Sequence, residues 1–182
     1  MRYCSECGAP VAHRIPKGDD RERAICTVCG TVHYQNPNLV VGCIPEWEDR
    51  LLLCRRAIEP RYGLWTLPAG FLEMGESVSE GAGRELQEEA CATVSDLELF
   101  AMFDLVFVGQ IYLMFRGPLT GPDFAPGEES LETALFSETE IPWRKMAFPV
   151  ISETLKLYFA DRAAGCFRIH SGRIERKSLE NP

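Results

Sequence analysis

Apolar and polar positions along the chain predict a mixed α/β domain that follows a polar N-terminal stretch. Proline restricts the residue before it to extended backbone, so Asn36–Pro37 marks the entry to this domain. Short apolar runs bounded by turn residues are typical of buried strands. Runs of this kind predict strands over residues 39–44, 51–54, 97–108, 110–116 and 133–136.

A capping signature predicts where the first helix begins. Ser77 is followed three residues later by Glu80, and in such a capping box the serine accepts from the backbone while the glutamate reaches back to it. The helix is expected to run from Ser77 to about Cys91. Gly81 and Gly83 weaken it by about 1 kcal/mol each relative to alanine.

A second capping signature precedes the C-terminal part of the chain. Ser137 and Glu140 have the same spacing, and residues 148–160 have the spacing of apolar positions that is typical of a helix. The polar segment 164–182 is expected to form a poorly ordered tail.

Length and composition are those of an ordinary folded protein. The chain has 182 residues, 46% apolar and 25% charged, which at about 150 residues per domain gives one full domain with some chain left over. The net charge of −8 disfavours a polynucleotide or a membrane surface as partner. No apolar stretch resembles a signal peptide or a membrane-spanning helix, so a soluble, cytoplasmic protein is expected.

Four of the eight cysteines have the spacing of metal ligands. Each of two C-x-x-C pairs is followed by glycine, which permits the sharp turn of a metal-binding knuckle. Four thiolates make a closed tetrahedral site, which predicts a structural zinc ribbon; rubredoxin-like iron and a redox dithiol are the alternatives. The predicted zinc ligands are Cys4, Cys7, Cys26 and Cys29. The other cysteines are expected to be small core residues: Cys43, Cys54, Cys91 and Cys166.

The charge of this ribbon does not favour nucleic-acid binding. Residues 1–35 contain five basic and four acidic side chains. Four thiolates and one zinc dication bring the ribbon to a net charge of about −1, which is not the basic stripe of a nucleic-acid site. A role in packing, dimerisation or closure over a substrate is the expected one.

Three glutamates fall on one face of the predicted first helix. At 100° per residue, Glu85, Glu88 and Glu89 lie within an arc of about 100°. They repel each other, and they lie in the C-terminal half of the helix, where its dipole disfavours anions. A divalent cation reverses both effects, so these residues are candidate ligands for magnesium or manganese. A solvated acidic face is the alternative.

The spacing of these glutamates resembles the signature of the Nudix hydrolases. The matching residues are Gly70, Glu76, Arg84, Glu85, Leu86, Glu88 and Glu89. The resemblance implies an α+β fold, an α/β/α sandwich with a mixed sheet, that follows the zinc ribbon. It also implies that Glu85, Glu88, Glu89 and the Ala69 carbonyl hold Mg²⁺ or Mn²⁺, and that Arg84 positions the glutamates. Glu76 would support the metal site. Cys91 departs from the pattern, because the family usually has a glycine there.

A closer resemblance extends over residues 4–160. The ribbon together with residues 34–37, 58–61, 64–70 and 126–132 is similar to the zinc-ribbon Nudix hydrolases typified by the plant FAD pyrophosphohydrolase and its bacterial relatives. It implies a homodimer organised as a ribbon (1–35), a Nudix domain (36–163) and a tail (164–182). The Ser-Gln-Pro-Trp-Pro-Phe-Pro run of the NADH pyrophosphatases is missing, which favours FAD or ADP-ribose over NADH.

The implied reaction is attack of water on the diphosphate bridge of FAD or ADP-ribose, which releases AMP and FMN or ribose 5-phosphate. Glu129 and Glu132 are candidate general bases. NADH hydrolysis, a nucleotide sensor without catalysis, and an RNA-binding or decapping protein are the alternatives. Trp65 and Tyr62, just before the motif, are candidates for stacking on the substrate ring, with a core or interface aromatic as the alternative. Arg56 and Arg61 are candidates for meeting phosphate, with a simple surface charge as the alternative.

Overall fold

The computed structural model describes residues 1–175, which fall into two compact units that divide after Pro37. The first unit is a three-stranded antiparallel sheet of β1 (Val11–Arg14), β2 (Arg23–Cys26) and β3 (Val32–His33), in the order β1-β2-β3. Its buried apolar residues are Cys4, Ala24 and Cys26. So small a core requires another source of stability, of the kind that a cross-linking metal would supply.

The second unit is built on a mixed sheet. Its strands are β4 (Asn38–Trp47), β5 (Arg50–Arg56), β6 (Trp65–Thr66), β7 (Ala69–Phe71), β8 (Glu98–Leu105), β9 (Gln110–Pro118), β10 (Ser130–Phe136) and β11 (His170–Arg173). The strand order is β10-β5-β4-β9-β8-β11, with β6 on β5 and β7 on β4. The β4–β9 and β8–β11 pairs are parallel and the others antiparallel. The helices are α1 (Val78–Ala90) and α2 (Pro149–Ala164).

One helix covers each face of this sheet, because successive strand residues point to opposite faces. Along β5, Leu51 and Leu53 belong to one apolar cluster and Leu52 and Cys54 to the other. The first cluster contains the buried side of α2, and the second contains Ala82, Leu86 and Ala90 of α1. This α+β sandwich with a mixed sheet confirms the predicted fold class.

The first helix begins and ends where its sequence signals predict. Ser77 is its N-cap: the Ser77 hydroxyl accepts from the Glu80 backbone amide, and the Ser77 amide donates to the Glu80 carboxylate at 2.8 Å. Cys91 ends the helix in the left-handed conformation, with φ 48°. The usual glycine is therefore replaced without moving the helix end. A non-glycine residue is strained at this φ.

The C-terminal segment differs from the expectation of a poorly ordered tail. Residues 170–173 form β11, which pairs in parallel with β8. Buried Asp161 anchors this return, because its carboxylate accepts from the Arg168 amide at 2.9 Å and contacts the His170 ring nitrogen at 2.8 Å. Polar strand residues held by a hydrogen-bonded carboxylate leave no apolar pattern to detect. Residues 176–182 of the predicted tail lie outside the described residues.

Two further expectations are corrected. The segment predicted as a strand over 97–108 ends at Leu105 and continues as the 3₁₀ helix Val106–Val108. Cys43 and Cys54 are buried as expected, but Cys91 and Cys166 are exposed, since both follow directly after the end of a helix or its cap. No helix in the described part of the chain is long and apolar enough to cross a membrane.

Candidate active site

The acidic face of α1 lies against β7, where Gly70 makes room for it. A Cβ atom built on Gly70 would overlap both carboxylate oxygens of Glu85. Gly70 pairs with Val41 of β4, which fixes the strand to the sheet. The glycine is therefore required because the carboxylate takes the space of its missing side chain.

Arg84 holds three glutamate side chains in place. Its Nε and Nη2 donate to the two carboxylate oxygens of Glu76 at 2.9 and 2.8 Å, and Nη1 donates to Glu85 at 2.8 Å and to Glu88 at 3.0 Å. Nη2 also donates to the Phe71 carbonyl at 3.1 Å. The bidentate pair with Arg84 and the Glu73 amide lower the pKa of Glu76 to about 2. Glu76 thus stays charged and orients Arg84, which in turn orients Glu85 and Glu88.

The carboxylates differ in burial and therefore in pKa. Glu85 and Glu89 are buried, whereas the Glu88 side chain is 58% exposed. Burial and the nearby Glu85 raise the pKa of Glu89 to about 8, although the positive charge of Arg56 lowers it. Burial likewise raises the pKa of Glu85, against the hydrogen bond from Arg84. Buried carboxylates with raised pKa values at a cavity wall are typical of a site that binds positive charge.

A cavity of about 1110 Å³ opens beside these carboxylates. It brings together eight of the residues predicted from the sequence, seven of them charged. They are Arg56, Arg61, Ala69, Arg84, Glu85, Glu88, Glu89 and Glu129. The volume exceeds that of a typical small-ligand pocket.

Four other predicted site residues lie outside the cavity lining. Trp65 is buried in the core, with its ring 4.8 Å from that of Phe136, so its placement disagrees with a stacking role. Tyr62 is exposed. Glu132 pairs with Arg55 at 3.1 Å on the exposed edge of β10. Glu76 acts on the site through Arg84.

The four cysteines of the first unit form one compact cluster. All four Sγ atoms lie within 4.8 Å of one another. Within residues 1–175, no other group of three or more His, Cys, Asp or Glu side chains comes together in this way. The backbone amides of Val28 and Cys29 donate to Cys26 Sγ at 3.4 Å each and lower the pKa of Cys26. Hydrogen bonds from Thr31 lower the pKa of Cys29 to about 6. Thiolates stabilised in this way suit a closed tetrahedral zinc site.

Comparison with known families assigns both units. The family model described as "Nudix N-terminal", a zinc ribbon, matches residues 2–35, and the model of the NUDIX domain matches residues 36–158. The chain belongs to the NUDIX family. The predicted family and ribbon are thereby confirmed; the narrower FAD and ADP-ribose subgroup is not distinguished.

Solved structures agree with this NUDIX fold. A crystal structure of a NUDIX hydrolase from Nitrosomonas europaea is 51% identical, with a TM-score of 0.93 over 97% of this chain and 100% of that one. An ADP-ribose pyrophosphatase from Streptococcus suis is 23% identical, with a TM-score of 0.62 over 75% of this chain and 99% of that one. At that identity the second likeness shows the fold alone.

Curated relatives carry a different name. The NAD-capped RNA hydrolase NudC of Stutzerimonas stutzeri is 30% identical over 167 residues, which are 88% of this chain and 57% of that protein. The NudC of Photobacterium profundum is 26% identical over 88% of this chain and 60% of that protein. The chain therefore spans somewhat more than half the length of these relatives.

The donor chemistry of the NUDIX helix suits hard divalent cations. Glu85, Glu88 and Glu89 offer only oxygen, which Mg²⁺ and Mn²⁺ prefer. In the described residues these carboxylates do not converge on one point as the thiolates do. Ala69 lies on the adjoining strand β7 and lines the same cavity.

Sequence reasoning missed several residues of the cavity lining, three of them aromatic and one an amide. Phe107, Gln110, Tyr112 and Phe148 all line it, and each comes from an element outside the Nudix signature. The sequence analysis placed Phe107 in a strand and Phe148 at the start of a helix. Gln110 and Tyr112 share one face of β9 by their spacing of two, which is the single signal that the sequence offered.

Proposed function

We propose that this NUDIX protein is a divalent-metal-dependent pyrophosphohydrolase that cleaves the diphosphate bridge of an adenine dinucleotide or nucleotide sugar. FAD and ADP-ribose are the proposed substrates, and AMP with FMN or with ribose 5-phosphate the products. The observation that carries the proposal is the row of carboxylates, two of them buried, along the wall of a cavity of about 1110 Å³. Such a wall repels an anionic substrate unless cations lie between them.

Glu85, Glu88, Glu89 and the Ala69 carbonyl would hold Mg²⁺ or Mn²⁺. When bound, these ions neutralise the diphosphate and lower the pKa of a coordinated water. Arg84 keeps Glu85 and Glu88 in position through its hydrogen bonds of 2.8 and 3.0 Å.

Other charged residues of the cavity act on the substrate and the water. Arg56 and Arg61 lie in the lining and suit the phosphate oxygens. Glu129 is the proposed general base, since it lines the cavity and Glu132 does not. Addition of one water across one P–O bond yields two phosphate monoesters, and the base accepts the proton of the attacking water.

The NAD family of substrates is a second candidate, favoured by the printed names of the curated relatives. Under this alternative the chain cleaves NADH or the NAD cap of an RNA. The net charge of −8 argues against extensive contact with an RNA chain, but a cap is a dinucleotide and needs only the cavity.

One product assay tests both candidates. Purified protein is incubated with FAD, ADP-ribose, NADH and NAD-capped RNA, each with Mg²⁺ or Mn²⁺, and the products are separated by chromatography. AMP from FAD or ADP-ribose at the highest rate supports the proposal, whereas preference for NADH or the capped RNA supports the alternative. Glu89→Gln and EDTA are expected to abolish turnover, and Glu153→Gln is expected to preserve it, because Glu153 lies on α2, pairs with Lys156 and does not line the cavity. Tight binding without turnover would instead support a nucleotide sensor.

The zinc ribbon and the dimer are proposed alongside. Cys4, Cys7, Cys26 and Cys29 would hold one Zn²⁺ with no open position, so the ion stabilises the fold and takes no part in hydrolysis. A homodimer is proposed from the family resemblance, and light scattering measures it directly.

A further inference from the structure

The short connection between α2 and β11 is organised by a buried carboxylate. Asp161 Oδ2 accepts from the Arg168 backbone amide at 2.9 Å and lies 2.8 Å from Nε2 of His170, the first residue of β11. The Asp161 carbonyl accepts from the Cys166 amide at 3.2 Å. The Asp161 side chain is only 3% exposed, so these contacts form away from water, where the loss of a hydrogen-bond partner is most costly.

Strand β11 has few other attachments. It lies at one edge of the sheet that the described residues form, where it pairs with β8 over four residues. The pair is parallel, and parallel pairing is slightly less stable per residue than antiparallel pairing. Ser171, Gly172 and Arg173 are exposed, so they bury little apolar surface that would retain the strand. The attachment of β11 therefore depends on its backbone pairs and on the contact between Asp161 and His170.

The far end of β11 reaches the cavity. Because β11 runs parallel to β8, Arg173 lies opposite Asp104, and the Ile174 amide donates to the Asp104 carbonyl at 3.0 Å. Leu105, the last residue of β8, lines the cavity, and so do Ile174 and Glu175. Ile174 is half-buried against the core cluster beneath α2, and Glu175 pairs with Arg173 at 3.0 Å. The chain that Asp161 anchors thus ends as part of the cavity wall.

Asp161 lies away from the acidic residues of the site. Neither Asp161 nor His170 lines the cavity. Strands β9 and β8 separate β11 from β4, to which β7 is paired. Helix α1, which carries Glu85, Glu88 and Glu89, packs on the opposite face of the sheet from α2. Release of β11 would therefore leave the acidic residues in place and remove one part of the wall.

We infer that Asp161 is a positioning residue for substrate binding, because it holds β11 on β8 and thereby keeps Ile174 and Glu175 in the cavity wall. The inference rests on the proposed function, since it concerns the same cavity. Without β11 the wall beside Leu105 is open to water, and the substrate loses the contacts that this wall offers. Substrate affinity therefore depends on β11, whereas the rate of hydrolysis depends on α1.

Steady-state kinetics separate positioning from a general loss of stability. The substrate is whichever of FAD, ADP-ribose and NADH the parent cleaves fastest. Asp161→Ala and His170→Ala are each expected to raise KM about tenfold with kcat within about threefold. Partial unfolding alone lowers the concentration of active enzyme, and with it the apparent kcat, but does not change the KM of the molecules that stay folded.

Thr154→Ala is the matched control for a buried polar residue of the same helix. Thr154 is fully buried, and its hydroxyl donates to the Val150 carbonyl within α2 at 2.9 Å. Its removal is expected to destabilise α2 without touching the contact between Asp161 and His170. The variant is therefore expected to keep the parental KM.

Hydrogen exchange reports directly whether β11 is released. In Asp161→Ala and His170→Ala, the amides of residues 168–175 are expected to exchange at least about tenfold faster than in the parent, with the amides of α1 unchanged. Ile174→Ser changes the wall and leaves the anchor intact, so it is expected to raise KM about fivefold without faster exchange in β11. If Asp161→Ala does not fold, His170→Ala decides.

The outcomes distinguish this inference from the proposed hydrolysis. A parental KM in Asp161→Ala and His170→Ala would overturn the inference while turnover by the parent upholds the hydrolysis. Parental exchange of residues 168–175 in both variants would overturn it as well, since β11 would then be held without the carboxylate. If the parent cleaves no nucleotide, the hydrolysis fails and calorimetric titration of AMP with Mg²⁺ replaces KM. About tenfold weaker AMP binding in the two variants then supports the inference, whereas equal binding, or no binding to the parent, overturns it.

Discussion

Gly70→Ala is expected to abolish most of the activity while the protein stays folded. The new methyl group would overlap the Glu85 carboxylate, inside the 3.0 Å limit that real Cβ contacts keep. The backbone of β7 is fixed by its pairing with β4, so the movable end of the Glu85 side chain has to yield. The φ of Gly70 lies outside the left-handed region, so alanine adds no backbone strain.

The structure sets the size of both effects. Displacing the carboxylate breaks its 2.8 Å bond with Arg84 and forces an unfavourable rotamer, about 1–3 kcal/mol in all. A loss of that size lowers Tm by about 2–4 °C per kcal/mol. Loss of one carboxylate ligand removes several kcal/mol of transition-state stabilisation. At 1.36 kcal/mol per tenfold, a loss of about 3 kcal/mol lowers kcat about 100-fold.

The assay pairs turnover at saturating Mg²⁺ with a thermal melt. Gly83→Ala is the matched control, because it lies in α1 with no atom within 4 Å of its added Cβ. It is expected to raise stability by about 0.5–1 kcal/mol at unchanged turnover. Parental kcat in Gly70→Ala would refute the role of Glu85 as a metal ligand. An unfolded variant would refute the claim that the side chain yields and the strand does not.

Three further changes have defined outcomes. Gly127→Ala would bring its Cβ onto a backbone carbonyl of α1, which cannot move aside as a side chain can. Urea denaturation should therefore show a free energy of unfolding lower by about 2–3 kcal/mol, and an unchanged midpoint would contradict this. Metal analysis should find one zinc per chain, lost in Cys26→Ser and kept in Cys91→Ser; equal loss in both contradicts the ribbon assignment. The Arg168 amide and His170 lower the pKa of Asp161. The stabilisation that the Asp161 carboxylate provides is therefore fully present above the pKa of an unfolded Asp, about 4, and is lost as the pH falls through the lower pKa of Asp161 in the folded protein. Asp161→Asn should therefore lower Tm at pH 7 by about 3 °C or more and flatten its acid dependence, with exposed Asp123→Asn as control.

Local signals predicted the parts of the fold that depend on neighbouring residues. The capping box at Ser77 places the start of α1, because both of its hydrogen bonds lie within four residues. The spacing of Glu85, Glu88 and Glu89 likewise places them on one helical face without knowledge of the rest of the fold. The end of α1 at Cys91 follows from the same local chain geometry, although the residue type argued against it.

Features that depend on strand pairing were not predictable in this way. Trp65 precedes the signature and has the character of a stacking residue, but β6 pairs with β5 and turns its ring into the core. The sequence does not distinguish Glu129 from Glu132 as the general base. Where β10 pairs with β5, the register shifts between Ser130 and Glu132, and Glu129 lines the cavity whereas Glu132 does not. Strand β11 is polar, and it pairs with β8, which is distant in sequence.

The cavity is lined both by elements of the Nudix signature and by elements outside it. This explains why the reaction class is more readable from the sequence than the substrate. Every signature residue lies on β7, on α1 or between them, and α1 supplies Glu85, Glu88 and Glu89 to the cavity. Most of the apolar lining comes from β8, the 3₁₀ helix Val106–Val108, β9 and the start of α2, whose residues satisfy no spacing rule of the motif. Substitutions at Phe107 and Gln110 should accordingly change which diphosphate is preferred, while substitutions at Glu85 should change the rate for all of them.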